Sequence, residues 1–283
     1  MDLESFNTSR ESLVPLLALN NKSNKNIIIF PTDKEAIEFS TDFSNLNKNI
    51  FHLPSWDTLS YDSFVPSFDI QGKRLEIAHL LLTNNNYNIA TSIKAISQRI
   101  YFEELEICKI ELNEEIDFDS LIENLIHLKY QRKDRVESKG SFAIRGGQLD
   151  VYPINYDLPL RVIFDGDLVN EIKTFDTISQ RSVSEKKDIL IVPATELFQI
   201  KHSDILNLSS NKKENLDDYE LFQYSQNLDL EKCLLDLTSN VALHIVDKNI
   251  VDNQLKEIID IEKDTFENLK QYFSLEIRNF KSR

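Results

Sequence analysis

The chain has 283 residues, a length that fits about two domains. Hydrophobic residues make up 41% of it, enough for a packed core and too many for a disordered chain. With 32 basic and 47 acidic residues the net charge is −15, which excludes a protein that coats nucleic acid or an anionic membrane by bulk charge while leaving room for a local basic patch.

In chain order, the first predicted element is a strand at Asn26–Phe30, an apolar run long enough for one buried strand. Pro31-Thr32-Asp33 follows, and Lys34–Phe43 has helical spacing through Ala36, Ile37, Phe39 and Phe43, with Thr32 or Asp33 as its cap. A second strand fits Asn49–Leu53, closed by Pro54, and a helix fits Asp69–Thr83. Tyr87–Thr91 is a third buried strand. Strands alternating with helices in this way predict a parallel sheet.

The middle of the chain changes period. Four of the five glycines, Gly140, Gly146, Gly147 and Gly166, fall in one short window, which predicts tight turns between strands. After a helical stretch at Phe118–Tyr130, strands are expected at Phe142–Ile144, Gln148–Tyr152, Leu160–Phe164, Leu168–Phe175 and Asp188–Val192, with a hairpin at Asp165-Gly166. This reads as a small, mostly antiparallel β-domain. From Lys129 to Arg161 it carries seven basic and four acidic residues, a net of +3 inside an acidic chain, which suits docking to an acidic partner surface. The last third opens with a polar stretch, Ser209–Asp218, read as a linker or loop. A buried strand follows at Val241–Val246, then an amphipathic helix at Asp252–Phe280 whose pattern still runs where the chain stops, as in a piece of something longer.

The α/β start raises nucleotide binding. A phosphate-cradling loop needs glycine so that backbone N–H groups can approach the phosphates. Met1 to Phe51 holds none, so neither a Walker-type ATP site nor a dinucleotide fingerprint is expected. The five histidines have no metal spacing, no nucleophile elbow is present, and no cofactor, metal or catalytic residue is assigned. Cys108 and Cys233 are expected to be buried, reduced thiols, too few for a disulfide framework. No apolar run nears the roughly 18 residues of a membrane span, and MDLESFNTSR has no signal-peptide core, so a soluble cytoplasmic protein is predicted. The loop Pro54–Phe64 concentrates Trp56, Tyr61 and Phe64. It reads either as a plug at a sheet edge or as a platform for stacked bases.

Together these residues resemble a known family. Leu53-Pro54-Ser55-Trp56-Asp57-Thr58-Leu59-Ser60-Tyr61-Asp62 resembles the LPxWETLPYD element of the bacterial transcription-repair coupling factors. Ser63-Phe64-Val65-Pro66, Asp69-Ile70 and Arg74-Leu75 continue the likeness. Ala143–Pro153, with Arg145-Gly146 at its centre, resembles that family's xxRGxxxDxFP element. Leu158–Arg161, Phe175-Asp176, Ser179–Ser182 and Val192–Phe198 also fit.

The resemblance implies a degenerate helicase-like, UvrB-like α/β body with an inserted small antiparallel β-domain. Its expected divisions are 1–104 for the first part of the body, 105–196 for the β-domain and 197–283 for the second part. It implies a non-catalytic module that binds UvrA through the β-domain and so recruits nucleotide excision repair. RNA polymerase binding, double-stranded DNA binding and ATP-driven translocation would belong to parts outside this chain. Carried over residue by residue, the UvrA contacts fall on Arg145, Arg161, Phe164 and Asp165, the two arginines being expected on adjoining strands and Asp165 standing where the family has a second aromatic. The alternatives are a degenerate helicase-like domain binding DNA directly and an α/β enzyme. The first meets the net −15, and the second meets the missing glycine loop.

Overall fold

A computed structural model describes residues 5–8, 25–44, 50–58, 65–84, 86–98, 104–199, 233–237 and 241–273. The aromatic positions Tyr61 and Phe64, the polar stretch Ser209–Asp218 and the end of the last predicted helix beyond Phe273 lie outside those residues. The chain divides into two compact units. One comprises Met1–Pro66, Ile77–Tyr101 and Ile200–Arg283, and the other Ser67–Glu76 with Phe102–Gln199.

The first unit is built on a five-stranded sheet. Its strands are β1 (Ser5–Thr8), β2 (Lys25–Phe30), β3 (Phe51–Leu53), β4 (Tyr87–Ser92) and, late in the chain, Ala242–Val246, in the order β1, Ala242–Val246, β2, β4, β3. Every pairing in it is parallel. The parallel sheet expected from alternating strands and helices is therefore present, with β1 as an unforeseen edge strand. Ile27, Ile28 and Phe30 are wholly buried, as suits a central strand covered on both faces. Helix α1 (Asp33–Ser44) is capped by Thr32. The Thr32 hydroxyl oxygen accepts from the Glu35 N–H at 3.3 Å and the hydroxyl donates to Glu35 Oε1 at 2.9 Å. Its inner face, Ala36, Phe39 and Phe43, packs with Phe30, whose ring centroid lies 5.1 Å from that of Phe39.

Helix α2 (Phe68–Thr83) contributes its first nine residues to the second unit, and short helix α3 (Ile93–Ser97) is capped by Ser92, whose side chain accepts from the Ala95 N–H. The second unit continues with β5 (Cys108–Glu111), α4 (Phe118–His127), β6 (Gln131–Arg132), β7 (Ser141–Arg145), β8 (Gln148–Tyr152), β9 (Leu160–Asp165), β10 (Leu168–Phe175), β11 (Ser182–Glu185) and β12 (Asp188–Ile191). Strands β6 to β11 form one six-stranded sheet in the order β11-β10-β9-β8-β7-β6, antiparallel except for the β6–β7 pair. The last predicted strand of the β-domain, β12, does not join it. It pairs instead with β5 in a separate two-stranded ladder. Strand Ala242–Val246, numbered β13, leads into α5 (Lys248–Phe273).

The core of the second unit lies between one face of the six-stranded sheet, α4 and the β5–β12 ladder. Leu121, Leu125, Phe142, Leu149, Val151, Leu160, Val162, Phe164 and Ile110 meet there. Cys108 belongs to this core at 3% exposure, as expected, whereas Cys233 is only half-buried. Among the described residues no helix is long and apolar enough to cross a membrane.

Candidate functional site

Successive residues of a strand point to opposite faces, so the register of the six-stranded sheet sorts the predicted contact residues. Phe142 on β7, Leu149 and Val151 on β8, and Leu160, Val162 and Phe164 on β9 face the core. Arg145 on β7, Gln148 and Asp150 on β8, and Arg161, Ile163 and Asp165 on β9 therefore share the outer face.

Phe164 corrects an expectation. Its ring is 7% exposed and meets Phe118 edge-on at 5.0 Å, so it is a core residue rather than a surface contact. The two arginines also do not sit on adjoining strands. Strand β8 runs between them, with Gln148 opposite Arg145 and Asp150 opposite Arg161.

The two arginines differ in how far they are committed. Arg161 Nε donates to Asp150 Oδ1 at 2.7 Å and Nη2 to Asp150 Oδ2 at 2.9 Å, a two-pronged pairing that lysine cannot copy. The same Nη2 donates to Gln180 Oε1 at 3.2 Å, and the guanidinium lies 4.4 Å from the centroid of the Phe175 ring. Gln148 Nε2 donates to both Asp150 oxygens, at 3.0 and 3.1 Å. The hydrogen bonds to Asp150 hold the Arg161 pKa above its ordinary value. Its side chain is only 16% exposed, and that of Asp150 only 7%. Arg161 is thus a fixed strut with one edge toward solvent.

Arg145 is exposed and, among the described residues, donates only to the Asp134 carbonyl, at 3.2 Å, leaving most of its donors to solvent. It stands where β7 turns into β8 through Gly146 (φ +60°) and Gly147. A Cβ on Gly147 would lie 2.9 Å from the Phe164 carbonyl oxygen, so the close approach of the turn to β9 requires glycine there. Asp165 is exposed at the head of the β9–β10 hairpin, where Gly166 takes φ +62° and Asp165 pairs with Leu168.

Three residues of this face escaped the sequence reading: Gln148, Ile163 and Gln180. Ile163 was within reach, because strand alternation from Arg161 to Asp165 places it between them on the same side. Gln180 was not, since it reaches Arg161 from a loop 19 positions away.

The first unit closes the place where a parallel sheet commonly binds phosphate, the helix N-terminus beyond the strand ends. Asp33, the first residue of α1, accepts from the Ser55 N–H at 3.3 Å, from the Ser55 hydroxyl and from the Ser92 hydroxyl at 2.8 Å. The chain's own carboxylate thus takes up donors just beyond the end of β3 and at the end of β4. Trp56, a candidate stacking platform, is 7% exposed, and its backbone N–H donates to Gln98 Oε1 at 2.9 Å. The plug reading of that residue fits, and base stacking on it does not. Among the described residues no group of His, Cys, Asp and Glu is placed to hold a metal.

A family model described as the UvrB interaction domain matches residues 108–197. The chain is 29% identical over 174 residues to the transcription-repair-coupling factor of Escherichia coli (strain K12), covering 60% of this chain and 15% of that protein. It is 25% identical over 289 residues to that of Bacillus subtilis (strain 168), covering 88% and 24%. It is also 25% identical over 209 residues to UvrABC system protein B of Fervidobacterium nodosum, covering 69% and 31%. The chain thus spans less than a third of each of these relatives. Residues 108–197 thus match a UvrB interaction domain, and the chain is similar to the transcription-repair-coupling factors over most of its length.

Proposed function

We propose that this chain is a non-catalytic recruitment module that binds UvrA through the outer face of its six-stranded sheet and so brings nucleotide excision repair to RNA polymerase stalled on damaged DNA. The observation that carries the reading is the pair of arginines on that face, one with most of its donors toward solvent and one braced. Arg145 offers an unspent guanidinium at a rigid strand end, and Arg161, clamped by Asp150, presents one fixed edge. A carboxylate-bearing partner surface fits both. Asp165 on the same face favours a cation opposite it, which makes binding salt-sensitive. The ATP-driven translocation and RNA polymerase contacts of a coupling factor would lie in the greater part of such a protein, outside this chain.

The test is the affinity for UvrA of the wild type, Arg145→Ala and Arg161→Ala, with thermal melts alongside. Loss of a central interface arginine costs about 2 kcal/mol, roughly thirtyfold in Kd. Arg145→Ala is expected to show that loss with an unchanged melting temperature. Arg161→Ala is expected to lose stability as well, since it leaves Asp150 buried without its partner. Wild-type affinity in a folded Arg145→Ala protein would overturn the reading.

A further inference from the structure

The loop between β10 and β11, Asp176–Arg181, combines order with an exposed apolar tip. Ile178 is 87% exposed, the most exposed of the large hydrophobic side chains among the described residues, and Val183 on the adjoining edge strand is 59% exposed. Yet the loop is strapped from several directions. The Asp176 N–H donates to the Arg181 carbonyl at 3.0 Å and the Gln180 N–H to the Asp176 carbonyl at 2.8 Å. The Ser179 N–H donates to Asp176 Oδ1 at 2.7 Å. The Thr177 carbonyl accepts twice, from Gln180 Nε2 and from Arg135 Nη2, each at 2.8 Å. Gln180 itself sits at φ +59°, a conformation that the straps must maintain.

Free loops hide or blur an apolar side chain; this one holds it out in a set position. An apolar group held rigidly in water has already lost the freedom that binding would otherwise have to remove. The loop is also tied to the outer face, because Gln180 Oε1 accepts from Arg161 Nη2. Around the tip stand Arg135 and Arg181, both exposed.

We propose that Ile178 is the apolar anchor of the docking surface, inserted into an apolar pocket on the partner whose rim carries carboxylates for Arg135 and Arg181. The occupant is a folded protein surface of that chemistry, continuous with the surface that meets Arg145. This rests on the docking reading given above, and takes UvrA as the partner.

The experiment measures binding of purified UvrA to the full chain as wild type, Ile178→Ser, Ile178→Leu and Arg145→Ala, with melting curves and sedimentation of each. Ile178 touches no core cluster, so Ile178→Ser is expected to melt as the wild type does. It is expected to weaken UvrA binding about tenfold or more, with Ile178→Leu restoring most of it. Undiminished binding by Ile178→Ser, while Arg145→Ala binds weakly, would sink the anchor and leave the docking reading standing. Undiminished binding by both variants would sink both. Weak binding by Ile178→Ser while Arg145→Ala binds as the wild type does would overturn the docking reading, and with it an anchor set in the surface that meets Arg145. A wild type that sediments as a dimer, and becomes monomeric in Ile178→Ser with UvrA affinity unchanged, would make a second copy the occupant and overturn the proposal.

Discussion

Cys108 is a thiol whose surroundings decide its chemistry. It is 3% exposed within the core of the second unit, and burial, aided by the charge of Glu114, pushes its pKa from 9.0 up to about 11. A thiol that resists ionisation resists alkylation. A thiol-directed reagent applied to the native protein at neutral pH is therefore expected to label the half-buried Cys233 first, and Cys108 only after unfolding, as mass spectrometry of the digested protein would show. The raised pKa also has a consequence for stability. The folded state keeps the proton that the unfolded state gives up above pH 9.0, so the contribution of this group falls as pH rises from about 9 and levels off above about 11. A rise of that size corresponds to about 2 to 3 kcal/mol across the window. Denaturation midpoints followed from pH 8 to 11 are expected to fall less steeply in Cys108→Ala than in the wild type; parallel slopes would contradict the burial argument.

Helix α2 shows how an element's placement is written into one residue. Gly72 sits inside a helix, where alanine would be favoured by about 1 kcal/mol on propensity. A Cβ there would stand 2.5 Å from the Ile154 carbonyl oxygen and 2.9 Å from the Asn155 nitrogen, both backbone atoms. Gly72→Ala is therefore expected to destabilise, by about 1 to 3 kcal/mol net of the propensity gain, as overpacked positions do. A urea midpoint raised above that of the wild type would show that the loop at Ile154 yields freely. Neighbouring residues of the same turn reinforce the placement. Gln71 Oε1 accepts from the Thr195 hydroxyl and the Glu196 N–H, each at 3.0 Å.

Across the whole molecule, the second unit is discontinuous in sequence, Ser67–Glu76 folding with Phe102–Gln199. A buried charged link ties its two segments, joining Arg74 Nε to Glu196 Oε1 at 2.9 Å, with side chains 1% and 4% exposed. Removing one member of such a buried pair takes the opposite charge away from the other and costs about 3 to 5 kcal/mol. Arg74→Ala is expected to lower the melting temperature sharply, and adding Glu196→Gln to recover part of the loss, because the second change neutralises a buried carboxylate that no longer faces the arginine. Equal destabilisation in the single and double variants would mean that Arg74 acts by packing alone. The charge of the whole chain, −15, sits against the basic run of the second unit, so any acidic partner must be met locally, through that run, rather than by bulk attraction.

The sequence by itself determined the elements whose pattern is local. The Asn26–Phe30 strand, the Thr32 cap and the Asp165-Gly166 hairpin each depend on a few adjacent residues, and each is present. It also determined which residues of a strand share a face, since alternation is a property of the chain, but not which of the two faces is buried. What it did not determine was pairing between distant segments. Nothing in Cys108–Glu111 marks it as the partner of Asp188–Ile191, and nothing in Arg161 says that Asp150 and Gln180 will spend most of its donors. Phe164 illustrates the limit: an aromatic beside an exposed hairpin suits a surface or a core equally until α4 brings Phe118 against it. Only the tertiary structure separated a free arginine from a clamped one. Burial and hydrogen-bond partners depend on residues far away in sequence, whereas the capacity to form a strand, a turn or a cap is settled by neighbours.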